Sequence, residues 1–146
     1  MADRTESSIV IQASPSQVMA VIADLARYPE WSDGVKSVEI LTEFEDGRPG
    51  DAHFVVDAGA IKDSYTLEYD WDADRSVTWK LTEGHMLKAM DGVYELTDNG
   101  DGSTTVVYQL TVDVTIPMIG LIRRKAEKVI VDTALKGLKK RVESLG

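Results

Sequence analysis

The stretch from Pro117 to Leu145 constrains the fold more than any other part of the chain. At helical spacing it presents one apolar stripe: Ile119, Ile122, Ala126, Val129, Ile130, Thr133, Ala134, Leu138, Val142 and Leu145. That i, i+3, i+4, i+7 recurrence marks one face of a 3.6-residue helix. Arg123, Arg124, Lys128, Lys136, Lys139 and Lys140 fall mostly opposite. Pro117 stands where a first-turn proline is tolerated. Such a helix is roughly 40 Å long at 1.5 Å per residue, and with one wet face it must lie across something apolar. Nearly everything between Val35 and Thr115 reads as strand, so that surface is a sheet. The expected architecture is α+β, one long helix gripped by a curved antiparallel sheet.

The rest of the chain supplies the sheet. Residues 5–12 read as a first strand. Ser14 is then a helix N-cap, Pro15 takes the first helical position and Gln17 follows three residues after the cap. Val18, Met19, Val21, Ile22 and Leu25 form that helix's apolar side. It stops before Pro29, and Tyr28-Pro29-Glu30-Trp31 carries two large aromatics through a turn. From Val35 the period changes to two. Val38, Ile40 and Phe44 alternate with polar residues, followed by Phe54, Val56 and Ala58, and then by Tyr65, Leu67, Tyr69 and Trp71. Val77, Trp79 and Leu81 come next, then Met86, Met90, Tyr94 and Leu96, and last Val106, Tyr108, Leu110, Val112 and Val114. Asp46–Gly50, Gly59, Asp72–Arg75, Glu83–His85 and Asp98–Gly102 break these runs as turns. Hairpin-length connections imply antiparallel pairing, and clean alternation implies one covered face.

At 146 residues the chain has room for one domain with a real core, and 1–146 reads as a single domain. No run approaches the ~18 apolar residues of a membrane span. Met1-Ala2-Asp3-Arg4-Thr5-Glu6 has neither the basic nor the apolar region of a signal peptide, which sets the cytoplasm as the expected location. The absence of cysteine excludes disulfides, a thiolate nucleophile and a Cys-rich zinc site. A net charge of −9 argues against nucleic acid as a partner. The charge is unevenly placed, since eight Lys/Arg against three Asp/Glu from Pro117 onward leave that segment at +5 and the remainder at −14. The basic strip is either a solvated face offsetting an acidic sheet or a surface for transient contact with a membrane or an acidic partner. Glu127 is spaced to pair with Arg123 or Arg124.

The covered face is unusually aromatic. A strongly bent sheet is not filled by one helix resting on it, and Tyr and Trp combine apolar bodies with a polar tip. A hydrophobic ligand pocket is therefore expected, lined from the strands by Phe54, Val56, Tyr65, Leu67, Tyr69, Trp79, Leu81, Met86, Met90, Tyr94, Tyr108 and Leu110. Met118, Ile122 and Ala126 complete it from the helix. Access is expected between Met118–Ile122 and the turn Gly59-Ala60-Ile61. Lys88 shares the inward phase of Met86 and Met90 in strict alternation, unless a bulge or a rim position relieves it.

No catalytic constellation stands out. G-x-S-x-G, the P-loop, G-x-G-x-x-G and H-E-x-x-H are all absent from the sequence. Asp70-Trp71-Asp72-Ala73-Asp74 opens like a calcium loop, but Arg75 and Leu81 stand where glycine and the bidentate glutamate belong. His53 falls on an outward phase and His85 in a turn. No metal or cofactor is expected.

Three stretches carry a resemblance. Ile11-Gln12-Ala13-Ser14-Pro15-Ser16-Gln17-Val18, followed by Leu25-Ala26-Arg27-Tyr28-Pro29-Glu30-Trp31, resembles the N-terminal signature of the START-like (SRPBCC) superfamily, in its polyketide cyclase/dehydrase and lipid-transport branch. Gly92-Val93-Tyr94-Glu95-Leu96 through Gly102-Ser103-Thr104-Thr105-Val106 resembles its penultimate hairpin. Ile116-Pro117-Met118-Ile119-Gly120 resembles the opening of its last helix. The resemblance implies a helix-grip fold with a seven-stranded antiparallel sheet, two short helices after the first strand and a deep apolar cavity. It implies binding or transport of a hydrophobic small molecule, such as a lipid, polyketide or quinone. Enzymes of that branch set Arg, Ser, Tyr or His in the pocket, whereas the inward strand positions here offer tyrosine. The alternatives are a polyketide cyclase/dehydratase acting in the same cavity, and an interaction or membrane-surface module using the basic helix face.

Overall fold

The computed structural model of the protein describes residues 4–32, 34–57, 62–115 and 120–145. Strand β1 (Thr5–Ile11) leads into α1 (Pro15–Ala23), a 3-10 turn (Leu25–Arg27) and the short α2 (Tyr28–Trp31). Six strands follow: β2 (Val35–Ile40), β3 (Asp51–Asp57), β4 (Lys62–Asp72), β5 (Ser76–Glu83), β6 (Leu87–Asp98) and β7 (Thr104–Val114). The long helix α3 (Gly120–Leu145) closes the chain. One seven-stranded sheet runs β1-β7-β6-β5-β4-β3-β2, antiparallel throughout.

Local chemistry sets the elements as the sequence implies. The Ser14 hydroxyl accepts from the Gln17 amide while the Gln17 side chain accepts from the Ser14 amide, a reciprocal cap. Val18, Met19, Val21, Ile22 and Leu25 are all buried. Pro29 opens α2 rather than merely ending the previous helix, because a proline costs nothing in a first turn. Phe44 departs from its expected strand phase. Strand β2 ends at Ile40, the Phe44 amide donates to the Arg48 carbonyl at 2.8 Å, and the ring is 48% exposed.

Register shifts at Val35/Ser37, Thr66/Leu67 and Leu87/Ala89 bend the sheet. The last of these also decides Lys88. The extra residue turns Leu87 inward and leaves Lys88 exposed, so the lysine avoids the desolvation that strict alternation would impose.

Helix α3 packs chiefly on β1 and β7. Its buried face is Glu127, Val131, Leu135, Leu138 and Val142, which shares Leu138 and Val142 with the stripe expected from spacing but is rotated from it, while Ile130, Thr133 and Ala134 of that stripe face a cavity. Ile122, Val129 and Leu145 are instead 52%, 59% and 64% exposed. The polar edge of β1 fixes this rotation. Gln12 donates its amide to Glu143 at 2.9 Å, Lys139 donates to the Val10 carbonyl at 2.7 Å, and Ser7 donates to Asp132 at 2.7 Å. Helix side chains thus satisfy the free edge of the strand. Glu127, expected among the solvated charges, is only 2% exposed. Its carboxylate accepts from the Thr5 hydroxyl at 2.7 Å and the Val112 amide at 2.6 Å. Among the described residues β1 pairs with β7 from Thr5↔Leu110 onward, and Glu127 supplies the acceptor for the buried Val112 N–H. Each buried Val or Leu on this face contributes about 1.5–3 kcal/mol.

Candidate functional site

Between the concave sheet, α2 and the middle of α3 lies a cavity of about 150 Å³. Its sheet wall is a belt of rings contributed by consecutive strands. Phe54 of β3 stacks on Tyr65 of β4 at 5.6 Å, and Tyr69 meets Trp79 of β5 at 6.0 Å. Trp79 meets Tyr94 of β6 at 5.3 Å and Tyr108 of β7 at 5.5 Å, while Tyr94 and Tyr108 lie 4.6 Å apart. Register makes the belt. Phe54↔Tyr65, Tyr69↔Trp79 and Tyr94↔Tyr108 are directly opposite each other across adjacent strands. Trp79 is instead opposite Gly92 on β6. A Cβ at Gly92 would fall 2.3 Å from the indole carbons, so this glycine is what lets the indole lie across β6 to reach both tyrosines.

The helical wall was less visible in the sequence. Tyr28 and Trp31 of α2 line the cavity with Ser32, Gly34 and Val35, and Ile130, Thr133 and Ala134 line it from α3. Tyr28 and Trp31 meet edge-on at 4.9 Å, and Tyr28 reaches Phe54 at 6.3 Å. Three contacts seat α2. The Tyr28 hydroxyl donates to the Ile22 carbonyl at 2.5 Å, Arg141 of α3 pairs with Glu30 at 3.0 Å, and Gly137 leaves room for Trp31. Gly34 turns the chain into β2 at φ 92°, a conformation few other residues adopt.

Of the fifteen residues expected to line a pocket, Phe54, Val56, Tyr65, Leu67, Tyr69, Trp79, Met90, Tyr94 and Tyr108 line this cavity. Leu81, Met86, Leu110, Ile122 and Ala126 do not. Leu110 is fully buried core, Ile122 faces outward because of the helix rotation, and the bulge puts Leu87 where Met86 was expected. Met118 and the turn Gly59-Ala60-Ile61, expected at the access point, lie outside the described residues. The Tyr28 and Trp31 pair was legible as two large aromatics beside Pro29, but nothing local placed it at the cavity.

Among the described lining residues there is no Asp, Glu, Lys, Arg or His. Polar function rests on hydroxyls. Burial, which disfavours the phenolate, raises the pKa of Tyr28, Tyr65, Tyr69, Tyr94 and Tyr108. The buried Asp63 carboxylate adds to the effect at Tyr65. At neutral pH the wall is therefore a set of uncharged hydrogen-bond donors.

Asp63 shares Tyr65's inward phase on β4, yet it is committed elsewhere. Its oxygens accept the amides of Ser64 at 2.8 Å, His85 at 3.3 Å, Met86 at 3.0 Å and Leu87 at 2.8 Å. Four donors fill a carboxylate's lone-pair sites, so Asp63 clamps the β5–β6 connection to β4. His85 lies on the rim of that clamp, its Nδ1 3.5 Å from Asp63 and its side chain 73% exposed. His53 bonds Thr66 across β3 and β4 at 3.1 Å. Neither histidine lines the cavity. No group of three or more His, Cys, Asp or Glu able to hold a metal occurs among the described residues, and no described helix is long and apolar enough to cross a membrane.

The family profile for polyketide cyclase/dehydrase and lipid transport matches residues 2–143. A solved structure described as a START superfamily protein from Mycobacterium smegmatis superposes with a TM-score of 0.92 at 22% identity, covering 98% of this chain and 99% of that one. A protein from Thermus thermophilus gives a TM-score of 0.82 at 26% identity, with 99% of each chain covered. The Zhui aromatase/cyclase from Streptomyces sp. R1128 gives 0.80 at 18% identity, covering 97% of this chain and 93% of that one. These likenesses show the helix-grip fold. No curated protein matches the sequence.

Proposed function

This chain belongs to the polyketide cyclase/dehydrase and lipid transport family, and on that premise we propose that it binds or carries a hydrophobic small molecule in the aromatic cavity. The observation that carries this reading is the wall. Rings from five consecutive strands, with none of the described lining side chains carrying a formal charge at neutral pH, surround about 150 Å³. Burial against such a wall supplies affinity of roughly 25 cal/mol per Å² before the costs of association.

Catalysis in the same cavity is the second reading, favoured by the tyrosine hydroxyls facing it. Cyclisation of a carbonyl chain needs a base as well as a donor. Tyrosines with raised pKa remain protonated at neutral pH, and no carboxylate or imidazole lines the wall among the described residues. Binding is therefore the better-supported reading. Surface docking through the basic helix face draws less support, because Lys128, Lys139 and Arg141 are engaged with Asp132, Glu143 and Glu30.

The test is organic extraction of protein purified from its own host, followed by mass spectrometry, together with calorimetric binding of the neutral one-ring probe toluene, which a cavity of about 150 Å³ can hold. A stoichiometric hydrophobic compound is expected on extraction. Ala134→Trp projects an indole from α3 into the cavity and should abolish binding of both compounds while circular dichroism stays native. Retained binding in folded Ala134→Trp protein overturns the assignment to this cavity.

A further inference from the structure

The wall holds four tyrosine hydroxyls that find no acceptor in the protein among the described residues. Tyr65, Tyr69, Tyr94 and Tyr108 are 8%, 5%, 5% and 6% exposed, yet their hydroxyls make no hydrogen bond among the described residues, unlike that of Tyr28. No described side-chain oxygen is both sealed and unpartnered, so these four open onto the cavity they line. Each phenol carries one proton for an acceptor that the protein itself does not supply. A ligand bearing only donors would not supply it either. An sp² oxygen offers two lone pairs and can accept from two neighbouring hydroxyls; the rings of Tyr94 and Tyr108 lie 4.6 Å apart across the β6–β7 register.

Charge narrows the class further. The described wall has no cation to pair with an anion. The buried carboxylate that acts on Tyr65, Asp63, is negative, and Asp24 acts on Tyr28 in the same sense. A carboxylate would enter unpaired, against this field. Size narrows it again, since a cavity of about 150 Å³ suits a small ring system rather than a long chain or a polycycle. Given the ligand-binding reading above, on which this rests, we propose that the cavity selects a compact neutral ring system of one or two rings that presents a ketone- or quinone-type oxygen to Tyr65, Tyr69, Tyr94 and Tyr108, and rejects carboxylates.

Three probes of similar shape test this by isothermal titration calorimetry at neutral pH: 1-tetralone, tetralin and 1-naphthoate. Tetralone should bind about tenfold more tightly than tetralin, the effect expected of one or two hydrogen bonds. Naphthoate should bind at least tenfold more weakly than tetralone. Two double variants, Tyr94→Phe/Tyr108→Phe and Tyr65→Phe/Tyr69→Phe, keep the rings. At least one should bring the tetralone-to-tetralin affinity ratio down to about one, a change in selectivity that a merely structural role would not produce. Equal binding of tetralin, equal binding of naphthoate, or a preference that survives both double variants overturns the selectivity and leaves the carrier reading standing. No binding by any of the three also overturns it, and the extraction experiment then decides the carrier reading separately.

Discussion

Raising the pH tests the interior directly, because every tyrosine in the chain has its pKa pushed up by burial. Four of them, Tyr65, Tyr69, Tyr94 and Tyr108, are at least nine-tenths buried. In the unfolded chain each would ionise around its ordinary value of 10.0, whereas the native state holds its protons. The native state therefore binds more protons than the unfolded state above that pH, and stability falls as pH rises. Below about pH 10 the contribution is fully present. At pH 11 each tyrosine has lost about 1.4 kcal/mol, or roughly 6 kcal/mol for four, against a typical total of about 5–15. Tyr28, only partly buried, adds less. Near-ultraviolet tyrosinate absorbance followed alongside far-ultraviolet circular dichroism should show one cooperative alkaline transition, in which ionisation and unfolding coincide. Independent titration of these tyrosines near pH 10 with the circular dichroism still native would refute the reasoning, since it would place the hydroxyls in water.

Three substitutions examine other parts of the same structure. Glu127→Ala removes the acceptor of the buried Val112 amide and should cost about 3 kcal/mol in urea denaturation, with Glu127→Gln costing less because one acceptor remains. Asp63→Ala strips the partner from the His85, Met86 and Leu87 amides, so it should cost about 2–4 kcal/mol and speed hydrogen exchange at those three sites ahead of the rest of β6. Gly92→Ala places a methyl against the Trp79 indole, so it should cost about 1–3 kcal/mol, change the near-ultraviolet circular dichroism and weaken probe binding; unchanged spectra and stability would mean that the indole does not lie across that glycine.

The element order and most of the cavity's sheet wall were legible in the sequence, since both follow from short-range rules. Capping chemistry fixed α1, and turn residues punctuated the strands. A period of two put Phe54, Tyr65, Tyr69, Trp79, Tyr94 and Tyr108 on one face, so the aromatic wall could be read before any coordinates. The exceptions were local breaks in that period. The bulge at Leu87/Ala89 exchanged Leu87 for Met86 and turned Lys88 out, and no composition signal marks where an extra residue will be absorbed.

The helical side was decided by tertiary structure. Apolar residues cover more than half of the α3 circumference, so spacing alone permitted several rotations. The chosen one satisfies the polar edge of β1 through Lys139, Glu143 and Asp132, residues more than a hundred positions from their partners. The same long-range pairing buries Glu127, which any one-dimensional reading assigns to solvent. It also brings Tyr28 and Trp31 over the sheet through Arg141 and the space at Gly137. Away from the bulges, sequence by itself determined which residues face inward on a strand, because a strand's alternation is geometric. Only the folded chain determined which inward residues border open space rather than each other, because a cavity is what remains after every element has found its packing partner.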